Sequence, residues 1–416
     1  MTFDISTLFR AGLPTPAAAP FKAFPAYNFV GGHNDAASVP VAALTAAATR
    51  ILSREGASLA TYGLNSGPQG YRPLREFIAS WMAECAGMKD SADEILITSG
   101  SLQALDLINQ LLLGPDDLVI AEEATYGGAL TRLSSLGVPY LGVRLDDNGI
   151  DMAHLADLLE TQKQAGKPIK FIYTIPTVQN PTGGVMPLDH RQKMLELAAQ
   201  YNCIIFEDDC YADLLWDGTR PPALRALDAP AAQAEGRANR VIYCGSFSKS
   251  LAPALRIGYI MADWPVLAQI LPLKTDAGTG ALEQMVLAEY CTDHFADHVV
   301  ALRAKLQSKC ATTIRALEEN FGTAAEFTAP LGGIFIWVTL PDSVDTSKLA
   351  AAAAKEGIAI NPGAEWTVNG AENKTRFRLC FGHPEEATLR DGIAKLAAIC
   401  HREFGVPERI SNHAQS

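Results

Sequence analysis

The stretch Gly245-Ser-Phe-Ser-Lys249-Ser-Leu-Ala-Pro-Ala-Leu-Arg256 carries the strongest signal in this sequence. Directly before it, residues 241–244 read as a short buried strand. Burial at a strand end lowers the pKa of a lysine amine, so that the amine can attack an aldehyde. The hydroxyls on either side of Lys249 and the guanidinium of Arg256 can bind a phosphate. Alone the segment is only suggestive, because the chain has 14 lysines and most lysines are solvated surface groups.

On both sides of this stretch, and mostly before it, strand-like and helix-like segments alternate. The predicted strands are 94–98, 118–121, 139–143, 170–174, 203–206, 241–244 and 256–261. The predicted helices are 101–113, 127–136, 152–164 and 188–201. Strands that are apolar throughout and alternate with helices predict an α/β fold, with a mostly parallel sheet sandwiched by helices in one large domain.

The pattern changes after about residue 285. A long helical stretch over 282–320 precedes strand candidates at 332–338, 358–360 and 376–381 and a final helix over 385–400. This order predicts a smaller α+β C-terminal domain. We therefore divide the chain into an N-terminal arm (1–45), a large domain (46–285), a small domain (286–404) and a polar tail (405–416) that is expected to fray.

Composition excludes several classes of protein. Hydrophobic residues make up 48% of the chain and charged residues 19%, so wholesale disorder is excluded. The formal net charge of −12 disfavours nucleic acid and anionic membranes as partners. The sequence shows no secretory signal and no run of about 18 apolar residues, so we expect no membrane span and a cytoplasmic protein. Eight scattered cysteines without a C-x-x-C pair agree with a reducing compartment.

Chemistry-bearing residues follow the predicted strands repeatedly. They are Ser101, Tyr126, Asn180, Asp208 and Lys249. Ligands of open α/β sheets bind at the carboxyl ends of the strands. The coincidence therefore predicts one site at this edge of the sheet.

Two of these loops have more than one reading. Asn180 belongs to Asn-Pro-Thr-Gly, which forms an ordinary turn unaided, or else its amide donates to a phenolate oxygen on a ring. Asp208 lies among neighbouring carboxylates that could bind a metal, act as acid and base, or form a solvated turn. A further reading has Asp208 hold a proton on a pyridine nitrogen, while Tyr211 bonds the ring's other polar atom. No His or Cys spacing supports a metal.

The remaining candidates also have competing readings. Ser101 begins a predicted helix, where free N–H groups favour a phosphate, but a plain N-cap is the alternative. Tyr126 is either a core side chain or an aromatic face over a flat cofactor. Ser246-x-x-Lys249 matches the S-x-x-K pair of penicillin-binding enzymes, whose S-D-N and K-T-G signatures are absent from the sequence.

Taken in order, these motifs resemble the fold-type I pyridoxal-phosphate aminotransferases of class I/II, and most of all the branch of 2-aminoadipate and kynurenine aminotransferases. The resemblance covers about residues 27–401. The matching segments are residues 62–75, Thr98-Ser-Gly-Ser-Leu-Gln-Ala-Leu, Gln179-Asn-Pro-Thr-Gly, Glu207-Asp-Asp-Cys-Tyr211, Ser246-Phe-Ser-Lys249, Pro330-Leu-Gly-Gly-Ile-Phe-Ile-Trp and Arg376-Phe-Arg378-Leu.

The resemblance implies pyridoxal 5′-phosphate as cofactor and assigns roles in binding it. Lys249 would form the Schiff base and then move a proton between the substrate's Cα and the cofactor. Asp208 would pair with the pyridinium nitrogen, Asn180 and Tyr211 with the phenolic oxygen, and Tyr126 would stack on the ring. The phosphate would be held by Ser101, the Leu102 N–H, Ser246, Ser248 and Arg256.

The resemblance also assigns the substrate site and a dimer. Arg378 would bind the substrate's α-carboxylate, with Gly32 and Asn180 beside it. Arg376 is the rival for the carboxylate role, because the two arginines alternate on one strand. Tyr62 would reach the phosphate of a partner subunit in a homodimer.

Two departures from the family pattern stand out. The turn Gly31-Gly-His-Asn-Asp35 lacks the proline that relatives usually carry there, which puts the pocket for the substrate's side chain in doubt. In the phosphate loop, Leu102 replaces a residue that is commonly polar. Asp35 could pair with a basic substrate and Arg10 with a second carboxylate, but both are expected to be solvated surface groups.

The activity implied is transfer of an α-amino group between an L-amino acid and a 2-oxo acid. The alternative is a lyase, decarboxylase or oxidase on the same scaffold, since these reactions share a carbanion. A transcriptional regulator that carries this domain is disfavoured, because the segment before the first motifs is too short for a DNA-binding domain.

Overall fold

The computed structural model describes residues 3–9, 13 and 20–408. Arg10 and residues 409–416 of the predicted tail lie outside the described residues. The helices are α1 (Val41–Glu55), α2 (Arg72–Ala86), α3 (Ser101–Leu112), α4 (Gly127–Leu136), α5 (Met152–Gln164), α6 (Leu188–Gln200), α7 (Leu224–Glu235), α8 (Phe247–Ser250), α9 (Trp264–Ile270), α10 (Ala281–Phe321), α11 (Thr346–Ala354) and α12 (Glu386–Phe404).

The strands are short, and those of the central sheet are almost fully buried except for the edge strand β4. They are β1 (Tyr27–Asn28), β2 (Ile95–Thr98), β3 (Leu118–Glu122), β4 (Tyr140–Val143), β5 (Leu145–Asp146), β6 (Gly149–Ile150), β7 (Ile169–Thr174), β8 (Ile204–Asp208), β9 (Val241–Ser246), β10 (Gly258–Met261), β11 (Phe335–Thr339), β12 (Ile358–Ala359), β13 (Asn361–Pro362) and β14 (Arg376–Cys380).

The central sheet confirms the prediction of a mostly parallel α/β fold. Its strand order is β2-β10-β9-β8-β7-β3-β4. β8 runs parallel to β7 and β9, whereas β10 runs antiparallel to both of its neighbours. The connection from β9 to β10 spans residues 247–257, fewer than the dozen or so residues that a parallel crossover requires. The chain therefore turns back at the edge where the site residues lie.

Alternation of side chains along the strands divides the core into two layers. Phe171 and Phe206 lie in one apolar cluster with residues of α3 and α4. Ile172 and Ile205 lie in the other, with residues of α5 and α6. Helices therefore cover both faces of the sheet, and only its edges remain for a ligand.

Helix α10 links the two predicted domains. Its first half buries Met285 and Phe295 in a cluster shared with α2. Its second half buries Leu317 and Phe321 against α12 and the small sheet, whose order is β11-β14-β13. The predicted boundary after residue 285 falls inside this helix.

Most predicted strands differ from the observed ones by one or two residues at an end, and for three of them the backbone shows a reason. The strand predicted from Arg256 begins at Gly258, because Arg256 is left-handed with a φ of 55°. The strand predicted from residue 332 begins at Phe335, after Gly333 with a φ of 85°. The strand predicted over 358–360 is two short pairings, Ile358–Ala359 with β1 and Asn361–Pro362 with β14.

In the part of the chain that the structure describes, no helix combines the length and the apolar character needed to cross a bilayer.

Candidate active site

The carboxyl ends of β3, β7, β8 and β9 meet at one edge of the sheet, where a cavity opens. Each of these strand ends supplies one of the residues that the sequence singles out for chemistry. The cavity is lined by Ser101, Leu102, Tyr126, Ile175, Asn180, Asp208, Cys210, Tyr211, Ser248, Lys249, Pro253 and Arg256. Nine of the predicted site residues therefore lie together, and Ile175, Cys210 and Pro253 join them without having been predicted.

Four further predicted residues lie outside this lining. Ser246 is buried below it, where its hydroxyl accepts the backbone N–H of Ser248 at 3.1 Å and caps α8. Gly32 and Arg378 border the cavity through contacts with its residues, described below. Tyr62 is 92% exposed and lines a separate open cleft.

Lys249 is the buried amine of the cavity. It lies on α8 directly after β9, and its Nζ donates to the carbonyl oxygen of Gly32 at 2.7 Å. Burial, with the positive charge of Arg378 nearby, lowers the pKa of the Lys249 amine to about 8. Roughly a tenth to a fifth of this amine is therefore neutral and nucleophilic at physiological pH, far more than of an ordinary lysine.

Asp208 is a buried carboxylate with neighbours that no motif predicted. Its Oδ2 accepts a hydrogen bond from the hydroxyl of Tyr173 at 2.7 Å. Burial raises the pKa of Asp208, while hydrogen bonds from Cys210 and Tyr173 oppose the rise. Cys210 and Cys244 bring their sulfur atoms within 4.8 Å of each other and of an Asp208 oxygen. This carboxylate is thus supported from one side and open to the cavity on the other.

Arg378 is held in place by both domains. Its Nη1 donates to Asn180 Oδ1 at 3.0 Å and its Nη2 to the Val30 carbonyl at 3.1 Å. Its guanidinium carbon lies 3.6 Å from the ring centroid of Trp366. The Nε atom is buried and has no hydrogen-bond partner among the described residues, so the arginine retains a donor for an anion.

Arg376, the rival to Arg378, begins β14 and is only half-buried. Alternation along the strand sends its side chain to the opposite face from that of Arg378.

Backbone geometry shapes the opposite end of the cavity. Gly100 is the N-cap of α3, so Ser101 is its first helical residue rather than a side-chain cap. A Cβ at Gly100, whose φ is 82°, would lie 2.2 Å from Arg256 Nη2. Arg256 is fixed there by donating to the carbonyl oxygen of Ser99 at 3.2 Å. The Arg256 guanidinium, the hydroxyls of Ser101 and Ser248 and the free N–H groups at the start of α3 therefore lie close together. Groups of this kind bind a phosphate.

Two tyrosines lie between these ends. Tyr211 packs edge-on against Phe335, with 5.0 Å between ring centroids, and burial raises the pKa of its hydroxyl. Burial also raises the pKa of Tyr126, whose ring lies 5.9 Å from that of Trp366. Both hydroxyls therefore remain protonated donors at neutral pH.

The donor set fits pyridoxal phosphate. The cavity combines a lysine amine of lowered pKa, a buried carboxylate, a phosphate site, and phenol and amide donors. Arg378, whose Nε has no hydrogen-bond partner among the described residues, borders the cavity beside Asn180.

Glu122 is a supporting residue that the sequence did not reveal. It ends β3 and accepts hydrogen bonds from Gln179 Nε2 and Thr174 Oγ1, both at 2.8 Å. Burial raises the pKa of Glu122 to about 7. Since Gln179 precedes Asn180, this carboxyl holds the turn that presents the Asn180 amide.

The prediction that Asp35 is a solvated surface group is wrong. Its side chain is fully buried and pairs with Lys309 of α10. Packing of the N-terminal segment against the small domain, which no local pattern encodes, covers it.

Comparisons with known proteins agree with this geometry. Residues 29–396 match the family described as aminotransferase class I and II. Aromatic-amino-acid aminotransferase 1 of Thermococcus litoralis is 33% identical over 91% of this chain and 88% of its own. The 2-aminoadipate transaminase of Thermus thermophilus is 31% identical over 89% of this chain and 88% of its own.

A solved structure extends this agreement to the fold. Kynurenine aminotransferase of Pyrococcus horikoshii, crystallised with PMP, is 34% identical, with a TM-score of 0.83 over 91% of each chain. The chain therefore belongs to the class I and II aminotransferases, as a pyridoxal-phosphate-dependent enzyme of fold type I.

Proposed function

We propose that Lys249 is the acid and base of amino-group transfer between an L-amino acid and a 2-oxo acid. One observation carries the proposal: a buried amine with a pKa near 8 lies in the same cavity as Asp208 and borders Arg378. At this pKa the Nζ atom can both accept the proton from the substrate's Cα and return it to the neighbouring carbon of the cofactor. Pyridoxal phosphate, when bound, supplies the electron sink for this proton transfer.

The other residues orient the reactants and set their charge. Asp208 keeps a proton on the pyridine nitrogen, and the Tyr173 hydroxyl helps to keep Asp208 ionised. Asn180 and Tyr211 donate to the phenolic oxygen, and Tyr126 covers the ring. Arg378 binds the α-carboxylate, stacked on Trp366 so that its plane is fixed.

The phosphate anchors are Ser101, the Leu102 N–H, Ser248 and Arg256, with Ser246 acting through the Ser248 backbone.

We infer that the amino donors carry large side chains. The relatives named above act on aromatic amino acids, 2-aminoadipate and kynurenine. In this chain the rings of Phe24, His33 and His383 follow one another at centroid distances of 5.1 and 5.6 Å. His33 directly follows Gly32, the residue that contacts Lys249, and the three rings together offer an aromatic wall.

We further propose a cytoplasmic homodimer that acts in amino acid metabolism. The exposed Tyr62 supports the dimer, because a solvated tyrosine in an open cleft is available to a partner subunit. All eight cysteines are free thiols, which agrees with a reducing compartment.

A spectral panel tests the proposed function. Single amino acids are added to the holoenzyme, absorbance reports conversion of the cofactor to its amino form, and the 2-oxo acid is measured. Stoichiometric 2-oxo acid from aromatic amino acids or 2-aminoadipate is expected, with Lys249→Ala as the inactive control. Release of ammonia or carbon dioxide instead would identify the lyase, oxidase or decarboxylase alternative.

A further inference from the structure

The loop of residues 31–35 lies directly on the catalytic lysine. The Gly32 carbonyl accepts the Lys249 amine at 2.7 Å. The Asn34 amide donates to the backbone carbonyls of Lys249 at 3.2 Å and Leu251 at 3.0 Å. The position of this loop therefore decides where the Lys249 amine is directed.

The loop needs an external constraint. It contains two successive glycines and no proline, so its backbone has unusual conformational freedom. A Cβ at position 32 would lie 2.5 Å from Lys249 Nζ and would displace the amine from its present position. Rigidity cannot come from the residue at the contact point and has to come from its neighbours.

A buried ion pair supplies that constraint. Lys309 Nζ of α10 lies 2.5 Å from Asp35 Oδ1, and both side chains are fully buried. Lys309 also donates to the Gly382 carbonyl at 3.0 Å, and Asp35 accepts the Ser38 hydroxyl at 2.7 Å. A buried pair costs desolvation and is not in general a source of net stability, but it can fix one arrangement of the chain.

The pair joins the loop to the substrate side of the cavity. Gly382 follows β14, the strand that carries Arg378. The Val30 carbonyl, just before the loop, accepts Arg378 Nη2 at 3.1 Å and the Asn361 amide at 3.0 Å. The Asp35–Lys309 pair therefore holds in place both the loop that contacts Lys249 and the Val30 carbonyl that contacts Arg378.

We propose that Asp35 and Lys309 are positioning residues that lock the 31–35 loop to α10 and thereby align Lys249 with Arg378. Their kinetic effect rests on the roles proposed above for these two residues. Breaking the pair frees the loop, so that the substrate carboxylate and the lysine amine are no longer held in register. Substrate binding suffers first, because Arg378 loses the fixed position of its Val30 contact.

The test uses the double variant Asp35→Asn/Lys309→Met, which removes both charges. A single substitution would leave one buried charge unpaired and endanger folding. Lys193→Met is the matched control, since Lys193 forms an exposed pair with Glu196. Thermal unfolding of each variant verifies that it is folded.

Two readouts are compared. In the apoenzyme, deuterium uptake by peptides covering residues 29–38 is expected to rise in the double variant, while uptake by β7 to β9 stays unchanged. In the holoenzyme, KM for the amino donor is expected to rise about ten-fold and kcat per cofactor-loaded site to fall about three-fold or more, because both the Arg378 contact and the Lys249 contact lose their fixed position. The control should match wild type in both.

Unchanged uptake in the loop, or unchanged KM with only a smaller active fraction, would overturn the proposal and leave the pair a purely structural element. The uptake measurement does not depend on activity. If the wild type transfers no amino groups, the proposed function fails, while the loop measurement still decides whether the pair locks the loop.

Discussion

The side-chain oxygen of Asn180 accepts a hydrogen bond from Arg378 Nη1 at 3.0 Å, across 198 positions of sequence. Asn180 follows β7 of the large domain, and Arg378 lies on β14 of the small sheet. Because the Asn180 oxygen is engaged, its NH₂ group is the end left to donate to a ligand. A single side chain thus links the cofactor site to the substrate site.

Replacing Arg378 by lysine should weaken substrate binding and leave cofactor binding nearly unchanged. Arg378→Lys keeps the charge but loses the planar pair of donors, so a charge-assisted bond of about 1.5–3 kcal/mol is lost. KM for the amino donor should rise about ten- to hundred-fold, with cofactor affinity nearly unchanged. Steady-state kinetics and cofactor titration measure both. Arg376→Lys is the control, and an equal rise there would transfer the carboxylate role to Arg376.

Asp208→Asn tests the carboxylate beneath the ring. The substitution preserves shape but removes the negative charge that, in the proposed role, would hold a proton on the cofactor's pyridine nitrogen. Turnover should fall by about a thousand-fold or more, while Lys249 still binds the cofactor, as absorbance will report. Tyr173→Phe removes only the hydrogen bond to Asp208 and should cost about ten-fold. Near wild-type turnover of Asp208→Asn would refute this role.

The sequence predicted those cavity residues that lie where a strand ends. Lys249, Asp208, Asn180 and Tyr126 follow apolar strands, and the carboxyl ends of parallel strands share one edge. Their convergence in one cavity therefore follows from local pattern plus a general rule of sheets.

Residues whose roles depend on distant partners escaped prediction. Tyr173 lies within an apolar strand, and only the register of β7 with β8 brings its hydroxyl to Asp208. Trp366 reaches Arg378 through the small sheet. Asp35 looked like a surface charge because its partner, Lys309, is 274 residues away. Long-range packing, not local propensity, assigns such side chains.

The pKa of Lys249 predicts a pH dependence for cofactor uptake. Only the neutral amine reacts with an aldehyde, and burial together with Arg378 lowers its pKa to about 8. Uptake of pyridoxal phosphate by the apoenzyme should therefore accelerate as pH rises, with a midpoint near 8 instead of about 10.4 for free lysine. Rapid-mixing absorbance measures the rate. Arg378→Leu should shift the midpoint upward and Arg376→Leu should not; a wild-type midpoint near 10 would contradict the burial argument.

Mixing of variants tests the proposed homodimer and the role of Tyr62. Each site would combine Lys249 of one subunit with Tyr62 of the partner. Tyr62→Phe should lower cofactor affinity about ten- to hundred-fold through one lost bond to a phosphate, so it is nearly inactive when cofactor is limiting. Lys249→Ala is inactive at any cofactor concentration. Sedimentation should show a dimer at micromolar protein.

Subunit exchange between these two variants should restore activity. In a hybrid dimer, one site receives both defects and the other neither. Since random exchange makes about half of the dimers hybrid, activity should recover to about a quarter of wild type. A mixture of Asp208→Asn with Lys249→Ala is the control and should recover nothing, because each of those residues serves its own subunit's site. A fully active monomer, or no recovery after verified exchange, would show that Tyr62 does not complete a partner's site.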